Sequence, residues 1–418
     1  MEKPSKRIYL CLAHMSESGL EQKYIKEAFD TNWVAPLGPN VDGFEKDLEE
    51  LFSVKNIVAL CSGTASTHLA LLAAGVGKDD EVLVQSLCFV AAANPVRYVG
   101  ATPVFVDSEP MTWNMSPELL EKAVIDRKAK TGKCPKAIVV VDLFGMPAML
   151  DEIVAVANKY NILLIEDAAN AFGSKYNGKM CGTFGRFGVL SFNGNKMITT
   201  SGGGALICPD AETKNKVMWY ATQAREAYPY YQHEAVGYNY RLSNICAGIG
   251  RGQMTVAEQH IAHHKHVQAL YEELLKDVPG IRIHRQPDDE RYDSNFWLCA
   301  ATIDPEVYVK GQEEAYKEMI KTAVGGAAGV IHAASSAHTD CEPNANVEAL
   351  RVCLDAAGIE ARPLWKPMHK QPVYQGCPSY TNGVSESLFK VGMCLPSGPC
   401  VSDDDVRYIV EKIKEAIL

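Results

Sequence analysis

A lysine and an aspartate have positions that suit cofactor chemistry. Asp167 ends a predicted apolar strand in ILLIEDAA, and Lys196 follows 29 residues later in LSFNGNKMITT. A buried carboxylate needs a cationic or hydrogen-bonding partner, and a protonated pyridine nitrogen would be one. In an apolar, partly cationic site the pKa of a lysine is lowered, and its neutral amine can act as a nucleophile. The simpler interpretations are a capping aspartate and a solvated surface lysine.

Small and hydroxyl-bearing residues in the same segments could hold a phosphate. Strand NIVAL runs into a predicted helix through Ser62, Gly63 and Thr64, and N–H groups at a helix N-terminus bind anions. Ser191 offers a hydroxyl, and the glycines at 202–204 let the backbone approach a ligand closely. Most such turns only cap a helix, so the phosphate hypothesis depends on the combination.

An aromatic residue could complete a site for a planar ring. Phe89 ends EVLVQSLCF and could lie flat against such a ring, with Ala169 packing against its other face. Core packing explains Phe89 equally well.

The elements that carry these residues alternate in type. From about residue 55, short β-branched runs alternate with helical periodicity, which predicts an α/β fold with a mostly parallel sheet and helices on both faces. Ligands of such sheets bind at the carboxyl ends of the strands. After a long helix the pattern changes to that of a smaller C-terminal α+β domain. We therefore predict a large domain at 1–254 and a small domain at 255–418, with an insertion near 305–345.

Composition excludes several classes of partner. The 418 residues carry a net charge of -10, which argues against nucleic acid or an anionic membrane surface. The thirteen cysteines form no C-x-x-C pair, as expected for thiols in a reducing cytoplasm. The run IYLCLAHM follows basic residues but lacks a signal-peptide cleavage pattern, and no stretch approaches the length of a membrane span. We expect a cytoplasmic protein without a metal site.

Six motifs together resemble one family. In order, SGTASTHLAL, FVAAANPVRYVGATPVFVD, IEDAANAFGS, SFNGNKMITTSGGG, GYNYRLSN and RPLWKPMHKQPVY resemble the DegT/StrS-type sugar-nucleotide aminotransferases, which have the aspartate aminotransferase fold. The resemblance covers about residues 8–300 and 345–418. It implies pyridoxal 5'-phosphate as cofactor, with pyridoxamine 5'-phosphate as the intermediate form.

The resemblance also implies roles for individual residues. Lys196 would form a Schiff base with the cofactor and Asp167 would pair with its pyridine nitrogen, so both are catalytic candidates. Asn239, in the G-Y-N-Y-R segment, would reach the phosphate of the neighbouring subunit, which implies a homodimer with shared active sites. The other cofactor-binding candidates are Ser62, Gly63, Thr64, Phe89, Ala169 and Ser191.

The substrate is implied by the last motif. R-P-L-W-K-P-M-H resembles members that aminate C4 of UDP-4-keto-6-deoxy-N-acetylhexosamines, with glutamate as the expected amino donor. Two departures leave the sugar open: Asn170 replaces the usual Glu, Gln or His, and S-G-G-G replaces G-E-G-G after Thr200. The substrate-binding candidates are Trp33, Asn193, Arg362, Trp365 and His369.

Four alternatives remain open at this point. A dehydratase of the same family uses the aminated cofactor but has His in place of the lysine, and a cofactor-binding regulator would have no catalytic role. A P-loop nucleotidase is suggested by Gly173–Met180, although Met180 replaces the required hydroxyl. Histidines 260, 263, 264 and 266 could hold a metal, but we expect them to form a solvated helix face.

Overall fold

The computed structural model describes residues 6–316 and 341–417, so most of the predicted insertion at 305–345 lies outside the described residues. The strands are β1 Ile57–Leu60, β2 Glu81–Gln85, β3 Thr102–Val106, β4 Ala137–Val141, β5 Leu163–Asp167, β6 Lys175–Tyr176, β7 Lys179–Met180, β8 Phe187–Ser191, β9 Gly204–Ile207, β10 Ile281–Ile283, β11 Tyr292–Asp293, β12 Cys299–Ile303, β13 Arg362–Pro363, β14 Ser379–Tyr380 and β15 Gly392–Leu395. The α-helices are α1 Leu20–Asp30, α2 Pro39–Phe52, α3 Gly63–Ala73, α4 Asn94–Tyr98, α5 Pro117–Thr131, α6 Leu150–Tyr160, α7 Ala211–Ala221, α8 Asn244–Met254, α9 Ala257–Leu275, α10 Ala345–Ala356, α11 Val384–Val391 and α12 Asp403–Ile417.

The largest sheet has the strand order β1-β9-β8-β5-β4-β2-β3-β14. The pairs from β8 to β14 are parallel, which confirms the predicted α/β class. Strand β1 is an exception within this mostly parallel sheet, because it pairs antiparallel with β9, as β9 does with β8. The periodicity of NIVAL predicts a buried strand but carries no information on its direction.

Both faces of this sheet are buried. In β4, Ile138 and Val140 belong to one apolar cluster, while Ala137, Val139 and Val141 belong to another. Alternate residues of a strand point to opposite faces, so the unbroken apolar run AIVVV is what a sheet covered on both sides requires.

A four-stranded antiparallel sheet, β10-β12-β15-β13, belongs to the C-terminal part. It packs with α9, α10 and α12 around a third cluster, in agreement with the predicted α+β character. Ser402 caps α12, because its Oγ accepts the N–H of Asp405 at 3.1 Å. The boundary at 254/255 stays a prediction, since β11 and β14 lie after it but pair with β6 and β3.

The structure bears on the P-loop alternative and on the histidines of α9. Gly173–Met180 forms the β6-β7 hairpin, and a P-loop needs a strand followed by a helix. The expected solvated face on α9 is wrong for His260 and His264, which are buried. Burial lowers the pKa of His264 to about 3. Within residues 6–316 and 341–417, none of the helices has the length and hydropathy of a bilayer span, and the cytoplasmic location stays a prediction.

Strand β8 has no room for a side chain at Gly188. A Cβ on Gly188 of β8 would lie 1.8 Å from the carbonyl oxygen of Gly182. Gly188→Ala should lower the free energy of unfolding by about 3 kcal/mol, because backbone must move to relieve the clash. Gly77→Ala is the control, since a Cβ there meets nothing within 4 Å, and it should change stability by under about 0.5 kcal/mol. Equal midpoints for the two variants in urea unfolding would contradict the assigned packing.

Candidate active site

Lys196 lies in the turn that follows β8 and is half-buried. Its Nζ donates to Oδ1 of Asn170 at 2.7 Å and lies 4.2 Å from the ring centroid of Trp297. Burial lowers the pKa of Lys196 to about 8, while the charges of Asp167 and Cys11 act in the opposite direction. The pKa of Lys196 is therefore lowered, as predicted, and a sizeable fraction of the amine is neutral near pH 8.

Asp167 ends β5 and is 6% exposed. Its carboxylate accepts the N–H of Ala169 at 3.1 Å, so part of the capping interpretation also holds. Burial raises the pKa of Asp167, whereas that hydrogen bond and Lys196 lower it. A cationic group such as a protonated pyridine nitrogen would stabilise the ionised carboxylate, which fits the predicted cofactor.

The neighbouring Glu166 has a separate task. Its carboxylate accepts the N–H groups of Gly182 at 2.6 Å, Phe184 at 2.7 Å and Gly185 at 3.3 Å. These donors belong to the connection into β8, so Glu166 fixes the strand that leads to the lysine.

The predicted phosphate site is built from the N-terminus of α3. Ser62 is its N-cap, with Oγ accepting the N–H of Ala65 at 3.0 Å. The N–H groups of Gly63 and Thr64 belong to the first turn, where a helix has no internal acceptor for them. A Cβ on Gly63 would lie 3.1 Å from the Cβ of Ser191, which brings the serine to the same turn.

Gly204 closes this cradle from β9. A Cβ there would lie 2.4 Å from the backbone nitrogen of Gly63. Only glycine allows strand β9 to approach the turn so closely. The four predicted phosphate residues and Gly204 therefore come together at the N-terminus of α3, where free backbone N–H groups can bind an anion.

Phe89 is 53% exposed, and its ring centroid lies 5.5 Å from that of Trp365 with a tilt of 50°. Trp365 in turn lies 4.8 Å from Phe144 and 6.4 Å from Trp297. Core packing does not explain Phe89, because its ring is largely open. The aromatic group links Phe89 to the tryptophan beside Lys196.

The remaining substrate candidates differ in exposure and in their hydrogen bonds to neighbouring side chains. Arg362 donates to Oε1 of Glu360 through Nε at 3.0 Å and Nη2 at 2.7 Å. The exposed Asn193 donates to Asn195 at 3.2 Å. Trp33 is exposed between α1 and α2. Their roles toward a substrate stay predictions.

His369 is held by protein on both ring nitrogens. Nδ1 shares a hydrogen bond of 2.6 Å with Oγ of the buried Ser86, and Nε2 lies 3.1 Å from Oε1 of Glu386. The carboxylate accepts an N–H from Nε2, and the serine hydroxyl can either donate to Nδ1 or accept from it. His369 thus anchors its segment to the end of β2, close to the loop that carries Phe89.

Asn239 is exposed and lies in a shallow cleft of about 360 Å³, whose lining includes Arg225, Tyr231 and Arg241. The next residues run along the end of β1, where the N–H of Cys61 donates to the carbonyl oxygen of Tyr240 at 2.8 Å. The segment is thus adjacent to the predicted phosphate turn at residues 62–64, while the Asn239 side chain is exposed at the surface.

Several residues of the site were missed from the sequence. Trp297 and Asn295 lie in the loop before β12, and no motif distinguishes them in the sequence. Cys11 lies near the lysine but had no distinguishing neighbour in sequence. Asn170 did carry a signal, because its residue type departs from the resembled family.

Comparisons with known proteins agree with this geometry. The model of the DegT/DnrJ/EryC1/StrS aminotransferase family matches residues 16–328 and 319–414. EpsN of Bacillus subtilis (strain 168), named as a pyridoxal phosphate-dependent aminotransferase, is 43% identical over 410 residues, which are 97% of this chain and 95% of EpsN. GDP-perosamine synthase of Escherichia coli O157:H7 is 32% identical over 407 residues, with 97% and 98% coverage.

A solved structure agrees as well. The crystal structure of a DegT DnrJ EryC1 StrS aminotransferase from Brucella abortus has a TM-score of 0.80 and 28% identity, and the match covers 96% of each chain. The family match spans both halves of this chain, and the relatives cover nearly its full length. This chain is therefore a pyridoxal phosphate-dependent enzyme and belongs to the DegT/DnrJ/EryC1/StrS aminotransferase family.

Proposed function

We propose that this aminotransferase moves an amino group from glutamate to C4 of a UDP-4-keto-6-deoxy-N-acetylhexosamine. The observation that carries the proposal is the half-buried amine of Lys196, with a pKa of about 8, close to the buried carboxylate of Asp167. Such an amine can act as a nucleophile and as a base. A nucleotide sugar as substrate is supported by relatives named GDP-perosamine synthase and UDP-2-acetamido-2-deoxy-3-oxo-D-glucuronate aminotransferase.

The described residues suit the cofactor. Pyridoxal phosphate, when bound, supplies an electron sink that stabilises negative charge on the reacting carbon. We assign Asp167 to its ring nitrogen, because a buried carboxylate at that point needs a positive partner. We assign the phosphate group to Ser62, Gly63, Thr64 and Ser191. We assign the two faces of the ring to Phe89 and Ala169.

Lys196 has two tasks in the proposed reaction. Its amine would hold the cofactor in the resting enzyme and, once free, would serve as the base. The free Nζ then takes the proton from the α-carbon of glutamate, and in the second half-reaction it delivers a proton to C4 of the sugar. Asp167 keeps the site electrostatically suited to both steps.

The segment from Arg362 to His369 supports the choice of sugar. Its Trp365 lies against Phe89, so the segment borders the proposed ring site. The anchoring of His369 by Ser86 and Glu386 fixes the segment relative to β2. We propose Trp33, Asn193, Arg362 and Trp365 as substrate contacts and His369 as the residue that positions the segment carrying Arg362 and Trp365.

Two alternatives within the family have less support. A dehydratase typically has histidine in place of the lysine, whereas this chain has Lys196 beside Asp167. A cofactor-binding regulator needs no amine with a lowered pKa. Amino-group transfer from glutamate would separate the enzyme from both.

We also propose a homodimer that shares its active sites. Two stretches of apolar side chains are exposed on the described chain and would be covered by a second copy. Asn239 would contribute to the partner's phosphate site, in line with its open position next to the phosphate turn. The exposed residues are Phe29, Trp33, Val34 and Leu37 in the first stretch and Tyr228, Tyr230, Tyr231 and Val236 in the second.

The cofactor assignment predicts a spectroscopic change. Purified protein should be yellow with pyridoxal phosphate, and glutamate should bleach it. Lys196→Ala should lose this response and at least about 10³-fold of kcat, because the base is removed. Lys159→Ala, at an exposed salt bridge with Glu121, is the control and should behave like the wild type. A yellow, glutamate-responsive Lys196→Ala protein would refute the assignment.

The shared site predicts complementation between two weak variants. Lys196→Ala and Asn239→Ala should each be poorly active alone. After unfolding and refolding together, half of the dimers should be hybrids with one intact site, which restores about a quarter of wild-type activity. Activity that stays at the level of the separate variants would exclude a site built from two subunits.

The substrate proposal predicts a preference that a panel of keto sugar nucleotides measures. UDP-4-keto-6-deoxy-N-acetylhexosamine should give the highest kcat/KM, by about tenfold or more over GDP- and dTDP-linked 4-keto sugars. A higher kcat/KM for a GDP-linked sugar would contradict the UDP assignment and favour the substrate class of the perosamine synthases.

A further inference from the structure

Asn170 is a buried amide that accepts a hydrogen bond from the active-site lysine. It is 5% exposed, and its Oδ1 lies 2.7 Å from Nζ of Lys196. A buried amide oxygen needs a donor, and the lysine supplies it. The contact therefore defines where the amine lies when nothing else holds it.

A second amide fixes this arrangement. Asn295 donates from Nδ2 to the carbonyl oxygens of Asn170 and Phe172, both at 3.0 Å, and its Oδ1 accepts the N–H of Trp297 at 2.8 Å. One side chain thus positions both groups that contact Nζ. The indole N–H of Trp297 also donates to the carbonyl oxygen of Asn195 at 2.7 Å, next to the lysine in sequence.

Gly145 shows how closely this frame is packed. Its φ is +98°, and a Cβ there would lie 1.9 Å from Oδ1 of Asn295. No other residue type fits without displacing the amide. Asn295 is therefore held from the opposite side by the backbone that follows β4.

The charges around Lys196 explain why an amide suits position 170. The titratable groups that face Nζ are the carboxylate of Asp167 and the thiol of Cys11. The ring of Trp297 attracts a cation but carries no net charge. An amide oxygen accepts N–H from either protonation state, whereas a carboxylate would favour the ammonium form alone.

We propose that Asn170 and Trp297, held together by Asn295, form the resting site of the Lys196 amine whenever it is not bound to cofactor. Asn170 is then a positioning residue for the proton transfers, and this role depends on the proposed function. Its neutral acceptor orients the amine and leaves a nitrogen lone pair free to take a proton. A carboxylate at this position would hold the amine as an ammonium ion and slow its use as a base.

The test measures the protonation of Lys196 in the cofactor-free full-length chain. Acetic anhydride modifies neutral amines, so the extent of Lys196 acetylation against pH, read by peptide mass spectrometry, gives its pKa. The wild-type midpoint should lie at about pH 8. Asn170→Asp should raise the midpoint by at least about one unit, which lowers acetylation at pH 8 about fivefold.

Two further variants separate positioning from general effects. Asn170→Gln retains the amide acceptor and should keep the midpoint within about 0.3 units of the wild type. Asn161→Asp introduces the same charge at the opposite end of β5, on the surface, and should leave the midpoint unchanged. An unchanged midpoint in Asn170→Asp, or an equal shift in Asn161→Asp, would overturn the proposal.

A second arm separates this inference from the proposed function. In the holoenzyme, added glutamate should release Lys196 and make it as reactive toward acetic anhydride as in the cofactor-free chain. No release would refute transamination with glutamate, while the cofactor-free result would still decide on Asn170. Release with an unshifted Asn170→Asp midpoint would retain the function and refute the resting site.

Discussion

The structure depends on holding two opposite charges in a site with little solvent. Asp167 ends β5, and Lys196 follows the adjacent parallel strand β8 by a short turn. Burial raises the pKa of the carboxyl group and lowers that of the amine, while each charge partly offsets the shift of the other. Burial thus favours the neutral form of each group, while the attraction between carboxylate and ammonium favours the charged forms.

A second layer of buried acids supports this pair. Glu166 accepts three backbone N–H groups, and Asp142 accepts the N–H of Ala148 at 2.9 Å. Burial and the nearby Glu166 raise the pKa of Asp142 well above its usual range. Two carboxylates this close do not both ionise, so we infer that the proton resides on Asp142. The charge on Glu166 then stabilises the connection into β8 through these three hydrogen bonds.

Much of the fold and the grouping of the candidate residues could be predicted because their signals are local. The strand-end position predicts that Asp167 lies at the sheet edge, and a strand-to-helix turn of small residues predicts the helix N-terminus at Gly63. The antiparallel direction of β1 and the contact of Trp297 with Lys196 could not be read in this way. They depend on which strands and loops meet across about 100 residues or more of sequence, and periodicity does not encode such pairings. Asn170 lies between these cases, since its residue type was noted but its partner was not.

The two halves of the chain contribute different residues to the candidate site. Except for Asn239, the residues proposed for the cofactor's phosphate and ring lie between Ser62 and Gly204, on strands and turns of the large sheet. The second half reaches that site through Trp297, which contacts the amine, and through Trp365, which contacts Phe89. Changes at Trp365 or in the loop before β12 can therefore alter what binds over the ring while the phosphate cradle stays intact. On the proposed assignment, the earlier segments would hold the cofactor, so substrate choice would be free to vary on the later ones.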